Sequence, residues 1–224
     1  MTKTCCGEGF KGPLRGRISM ANTVKTGLGD PIEFAPDASS KKRKGVHRPL
    51  FADVFTLDGT TPAMPAKVHL LVNPFAGKKR GRAVATLVID LVKQAGVDIS
   101  ASYSAYSGHL VALASELDVG DDEVVAVVGG DGSLSEVITG RMLLGTERCE
   151  TFAIIPAGTG NSQANDLGLS STEGAVEAML SGRRQMLDLA RVELTEGLPG
   201  STGEPMVRYS HNLVTWGLGV DSTI

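Results

Sequence analysis

An α/β fold built on a parallel sheet is predicted for this chain by three observations. Apolar strand-like runs alternate with helical stretches from residue 67 to residue 156. Three of those runs end directly in glycine-containing turns, at 73–81, 129–132 and 156–161. Turns at the same end of successive βα units converge on one crevice beside the sheet.

The elements follow in order. Pro62 and Pro65 bracket the entry into the first strand, Lys67 to Val72. After the turn Asn73-Pro74-Phe75-Ala76-Gly77-Lys78-Lys79-Arg80-Gly81 comes a helix over 81–95. Its Val84, Leu87, Val88, Leu91 and Val92 fall at i, i+3, i+4, i+7 and i+8, one face of an α-helix. A strand at 97–103, a helix at 108–117 and a strand at 123–128 come next, the last carrying the apolar run Val124 to Val128. Gly129-Gly130-Asp131-Gly132 then turns into a helix over 133–144. Glycines allow the backbone close to a ligand, and the free N–H groups at the start of a helix favour phosphate. Asp131 places a carboxylate inside that turn, where it could meet a metal ion or a reacting hydroxyl. Ser133-x-x-Glu136 has the spacing of a capping box. The strand at 151–156 runs into Pro156-Ala157-Gly158-Thr159-Gly160-Asn161, a second turn of the same kind. A helical turn through Leu167 and an amphipathic helix from Thr172 to Leu180 follow. Beyond Arg184 the texture is β, with Met186 to Leu194, a Gly/Pro loop at 196–205 and Met206 to Val220.

Three units are expected: a basic, largely disordered leader over 1–62, an α/β domain over 63–184, and the beginning of a second, β-rich domain over 185–224 that is mostly missing. The net charge of −3 is unevenly distributed. Residues 1–50 carry ten Lys/Arg against four acids, so the leader is basic and the remainder acidic, a pattern of tails that touch anionic surfaces. No apolar run reaches the ~18 residues of a membrane span. The 3 cysteines make neither a disulfide framework nor a zinc site, and a reducing, cytoplasmic compartment fits. Adjacent Cys5 and Cys6 are candidates for acylation, hence for peripheral membrane attachment, whereas Thr2 excludes N-myristoylation.

Asn73-Pro74-x-x-Gly77-Lys78, Gly129-Gly130-Asp131-Gly132-x-x-x-Glu136 and Pro156-Ala157-Gly158-Thr159-Gly160-Asn161, in that order, resemble the diacylglycerol kinase catalytic domain shared by lipid kinases. The resemblance covers about Lys67 to the end of the chain. It implies a Rossmann-like nucleotide-binding domain, followed in the family by a β-sandwich that helps form the lipid pocket, so the chain is a fragment, a truncated gene model or a short member. It implies ATP and Mg²⁺, a lipid acceptor at a membrane surface, and no nucleic-acid partner. Asn73, Pro74, Phe75 and Gly77, then Gly130, Gly132, Ser133 and Glu136, then Gly158, Thr159, Gly160 and Asn161 are the implied nucleotide contacts. Asp131 matches the family's catalytic acid, the base for the lipid hydroxyl or a magnesium partner. Ser104 and His109 resemble a Thr-x-x-x-x-His segment near adenine and ribose, with Ser104 in the place of Thr and His109 read as a structural helix-start residue.

The C-terminal Trp216-Gly217-Leu218-Gly219-Val220-Asp221 looks like the sphingosine kinase segment whose acid holds the head of the long-chain base, which makes Asp221 the substrate-binding candidate. A carboxylate suits an ammonium headgroup. Gly129 and Thr159 are of the broader diacylglycerol kinase type, and Ala76 replaces a common glycine. A sphingoid base is the expected acceptor, with diacylglycerol or ceramide as alternatives. Gly-Gly-Asp-Gly also occurs in NAD kinases and phosphofructokinases, but the Asn73-Pro74 start and the Pro156 to Asn161 turn fit lipid kinases better. A non-catalytic nucleotide-binding remnant is the rival of another class.

Overall fold

The computed structural model describes residues 15–20, 63–145, 150–194 and 206–212. Its seven strands form one sheet in the order β3-β2-β4-β5-β1-β6-β7. The parallel part is β3 (Asp98–Tyr103), β2 (Lys67–Val72), β4 (Glu123–Gly129) and β5 (Thr151–Pro156). Helices α2 (Gly81–Gln94) and α6 (Thr172–Leu180) pack together, as do α3 (His109–Ser115) and α4 (Asp131–Met142). Burial on both faces explains why β4 and β5 read as unbroken apolar runs: Val124 to Val128 and Phe152 to Ile155 are all buried. The α/β class and the predicted alternation stand. Helix α4 begins at Asp131, two residues before the expected start, so Asp131 and Gly132 belong to its first turn.

One local expectation is corrected. In α2 the buried stripe is Gly81, Ala85, Val88 and Val92, while Leu87 is exposed and Val84 and Leu91 pack at the margin. Close contact with the preceding turn requires a small residue at this centre, since a Cβ on Gly81 would collide with the Asn73 carbonyl. Within the expected leader, Arg15–Met20 forms β1, parallel to β5 (Ser19 opposite Thr151) and antiparallel to β6 (Arg15 opposite Ala190). Six residues with little periodicity of their own become a strand because two sheet edges await them. Strand β6 (Gln185–Leu194) pairs with β7 (Met206–Ser210), so the proposed second unit starts as a continuation of the first sheet. Among the described residues no helix is long and apolar enough to cross a membrane.

Two polar clusters brace the sheet away from its C-terminal crest. Buried Arg141 donates to Glu150 (2.8 and 2.5 Å) and to the carbonyls of Ala114 and Leu117 (2.8 and 2.6 Å), tying α4 to the end of α3. Buried His69 lies 2.6 Å from the Glu123 carboxylate, and Gly120 N–H donates to the same group at 3.0 Å. The Gly120 N–H and then His69 hold the Glu123 carboxyl below its ordinary 4.5. The unfolded chain therefore takes up this proton first as pH falls. Stabilisation is present above the ordinary carboxylate range and is lost as pH falls through the lowered value. Glu123→Gln is expected to remove this part of the acid-side loss, seen as a shallower fall of the urea midpoint than in the wild type. Parallel curves would refute it.

Candidate functional site

The crest is assembled from the three turns after β2, β4 and β5, and helix α4 links them all. Asn73 closes its own turn by accepting from Phe75 N–H (3.0 Å) and donates through Nδ2 to Ser133 Oγ (3.1 Å). The turn continues through α1 (Ala76–Lys79), which is not a regular helix. Gly77, Lys78 and Lys79 all have left-handed backbone, with φ of 52°, 62° and 70°. Gly77 lies so close to the Ala157 carbonyl that a Cβ would collide with it, so both conformation and contact demand glycine. The first and third turns are thereby in contact.

The second and third turns meet glycine on glycine. A Cβ on Gly158 would stand 2.6 Å from Gly130 Cα. Ala157 and Gly158 N–H both donate to the Gly129 carbonyl (2.8 and 3.1 Å). Asp131 bridges the same two turns: its carboxylate accepts from Ser162 N–H (2.9 Å) and Gln163 N–H (2.8 Å), the opening residues of α5 (Ser162–Asp166). Among the described residues two of its four or so acceptor positions are thus used, which leaves others for a hydroxyl or a cation. Asn161, left-handed at φ 54°, donates from Nδ2 to the Gly158 carbonyl (3.0 Å), while its buried Oδ1 has no hydrogen-bond partner among the described residues.

Glu136 does not form the expected capping box. Gly130 is the N-cap of α4 and has no side chain to cap it, and Ser133, buried inside the first turn, accepts from Asn73. Glu136 instead accepts from Gly108 N–H (3.1 Å) and fixes the start of α3. The bond forms because α3 packs alongside α4. His109 is structural as expected: Nδ1 accepts from Ala105 N–H (3.0 Å) and the ring stacks on Tyr106 with centroids 4.6 Å apart. Ser104 is buried at the end of β3.

Two groups stand out among the predicted residues. Asn73, Ser133, Glu136 and both oxygens of Asp131 hold the crest together by hydrogen bonds. Phe75, Gly132, Thr159 and Gly160 are exposed at its surface. Asp221, Trp216, Cys5 and Cys6 lie outside the described residues. Among the described residues no cluster of three His, Cys, Asp or Glu could hold a metal ion.

The residue missed from sequence is His211. Its Nε2 donates to the Asp131 carbonyl (3.3 Å) and its Nδ1 lies 3.0 Å from Gln163 Oε1. Burial pushes the imidazole below its ordinary 6.5, against the backbone bond and the charge of Asp131. No spacing could have announced a contact between residues eighty positions apart in the chain. Chemically, the crest offers phosphate-sized backbone turns, the N–H groups that open α4, and a carboxylate beside them able to take a proton or face a cation.

Residues 67–192 match the family described as the diacylglycerol kinase catalytic domain. The chain is 33% identical over 132 residues to sphingosine kinase B of Dictyostelium discoideum, covering 57% of this chain and 17% of that protein. It is 30% identical over 188 residues to sphingosine kinase 1 of Arabidopsis thaliana, covering 79% and 36%. It is 34% identical over 137 residues to a diacylglycerol kinase of Mycobacterium tuberculosis, covering 59% and 42%. The chain thus spans less than half the length of each of these relatives.

Proposed function

Because the chain belongs to the diacylglycerol kinase catalytic domain family, we propose that it is the nucleotide-binding part of an ATP-dependent lipid kinase that phosphorylates a lipid hydroxyl, with a sphingoid long-chain base as acceptor. The observation that carries this reading is the meeting of Gly130 with Gly158, bridged by Asp131, at the start of α4. Glycine against glycine brings two turns of bare backbone together, as a polyphosphate requires. The residues also fit magnesium: among the described residues Asp131 has spare carboxylate lone pairs and Asn161 Oδ1 is a buried acceptor without a hydrogen-bond partner, both hard oxygens. Magnesium bound there would neutralise phosphate charge.

In the reaction, Asp131 takes the proton of the acceptor hydroxyl as the hydroxyl oxygen bonds to the γ-phosphorus and ADP leaves. The turns orient the phosphates, and α4 holds Asp131 against the third turn. The reaction would take place in the cytoplasm, at a membrane surface where the lipid resides. Radiolabelled ATP offered with sphingosine, ceramide, diacylglycerol and NAD tests the reading. Labelled lipid is the expected product, and labelled NAD alone would overturn it.

Acceptor choice has its own test. An ammonium headgroup on Asp221 makes a charge-assisted hydrogen bond of about 1.5–3 kcal/mol, so Asp221→Asn is expected to raise KM for sphingosine about ten- to a hundredfold. ATP affinity should stay the same, because ATP meets the three turns. A wild-type preference for diacylglycerol, which has no cationic head, would overturn the sphingoid assignment.

A further inference from the structure

Strand β7 pairs with β6 along one edge, and its other edge is docked on α4. Tyr209 N–H donates to Thr139 Oγ1 (3.0 Å), and Ser135 Oγ donates to the Tyr209 carbonyl (2.8 Å). His211, just past the strand, then reaches the Asp131 carbonyl. Asp131, Ser135 and Thr139 are spaced by four and share one face of the helix. Three bonds therefore fasten the β7 segment along α4, and the last ends on the residue that opens it.

A closed circuit results. The His211 ring joins the Asp131 carbonyl to the Gln163 side chain, and Gln163 N–H in turn donates to Asp131 Oδ1. The ring nitrogen facing the Asp131 carbonyl must carry a proton. In the neutral ring the other nitrogen is then an acceptor, satisfied by the NH₂ of Gln163 once that amide is turned. Gln163 is buried, so it has few alternative partners.

We propose that His211 is a positioning residue for phosphoryl transfer. It latches the β6–β7 arm to the Asp131 turn and, through Asp131 and Gln163, fixes the carboxylate relative to the opening turn of α5. The consequence for turnover rests on the lipid kinase reading, whereas the latch does not.

The test compares the whole protein with its His211→Leu variant, which removes both polar ends, and its His211→Gln variant, whose Nε2 can still donate to the Asp131 carbonyl. Loss of a supporting hydrogen bond of this kind should lower kcat about ten- to a hundredfold in the Leu variant. KM for ATP should stay within about threefold, the pattern of an interaction used in the transition state only. The Gln variant should recover most of the loss. The Ser162 and Gln163 amides, followed by NMR, should exchange about tenfold faster in the Leu variant and near the wild-type rate in the Gln variant. Wild-type turnover with wild-type protection in the Leu variant would overturn the proposal, as would a Gln variant impaired as severely as Leu in both readouts. A whole wild-type protein that phosphorylates no lipid overturns the functional reading, and the exchange comparison still decides the latch. Should the Leu variant not fold, the Gln variant decides it: wild-type protection supports the latch, and lost protection overturns it.

Discussion

Asp131→Asn is expected to lower kcat about a hundred- to ten-thousandfold, the range over which a positioned general base acts. The amide cannot accept the hydroxyl proton and brings no charge to magnesium. The geometry adds a second, smaller effect. Both carboxylate oxygens accept backbone N–H groups of α5, and an amide can replace only one of them. Its NH₂ would face a donor, at a cost of about 1–3 kcal/mol for the unpaired group. The two effects separate experimentally, because the structural one appears in the thermal midpoint and the chemical one in turnover of folded protein. The kinetics are to be measured with the whole protein. Full turnover in Asp131→Asn would refute the base assignment, and an unchanged melting temperature would show that the α5 contacts contribute little.

The parts of this fold that were legible are those whose signal is local. A strand buried on both faces is largely apolar, so β2, β4 and β5 could be read within a residue or two. The glycine turns were legible because backbone contact leaves no room for another residue type, as at Gly77 and Gly158. Roles set by distant partners were not. Glu136 had the right spacing for a capping box, yet the neighbouring Gly108 N–H claims it. Strand β1 depends on edges supplied by β5 and β6, far away in the chain. The Asp131 contact with α5 and the His211 contact with Asp131 exist only after the sheet has brought three turns together. The sequence motifs thus named the crest but not the bonds that hold it.

Gly132→Asp should separate binding from folding more cleanly than any other change at the crest. Gly132 is exposed in the first turn of α4, lacks the left-handed backbone that would exclude a side chain, and a Cβ there meets no atom of the described residues within 4 Å. The protein itself therefore tolerates the substitution. A carboxylate in the first turn even complements the helix dipole, by about 0.3–1 kcal/mol. Phosphate bound at the same turn experiences the opposite. A unit charge about 4 Å from another contributes roughly 1 kcal/mol of repulsion in water and roughly 4 at the dielectric of a protein surface. With about 1.4 kcal/mol per factor of ten, Kd for Mg-ATP should rise about five- to a thousandfold. Gly132→Ala, with bulk but no charge, should lie between this variant and the wild type. Calorimetric titration with Mg-ATP, alongside thermal melts, reads both quantities. The expected signature is weaker binding by a protein of equal or greater stability, a combination that a folding defect cannot produce. Unchanged affinity in Gly132→Asp would mean that the phosphates do not rest on this turn.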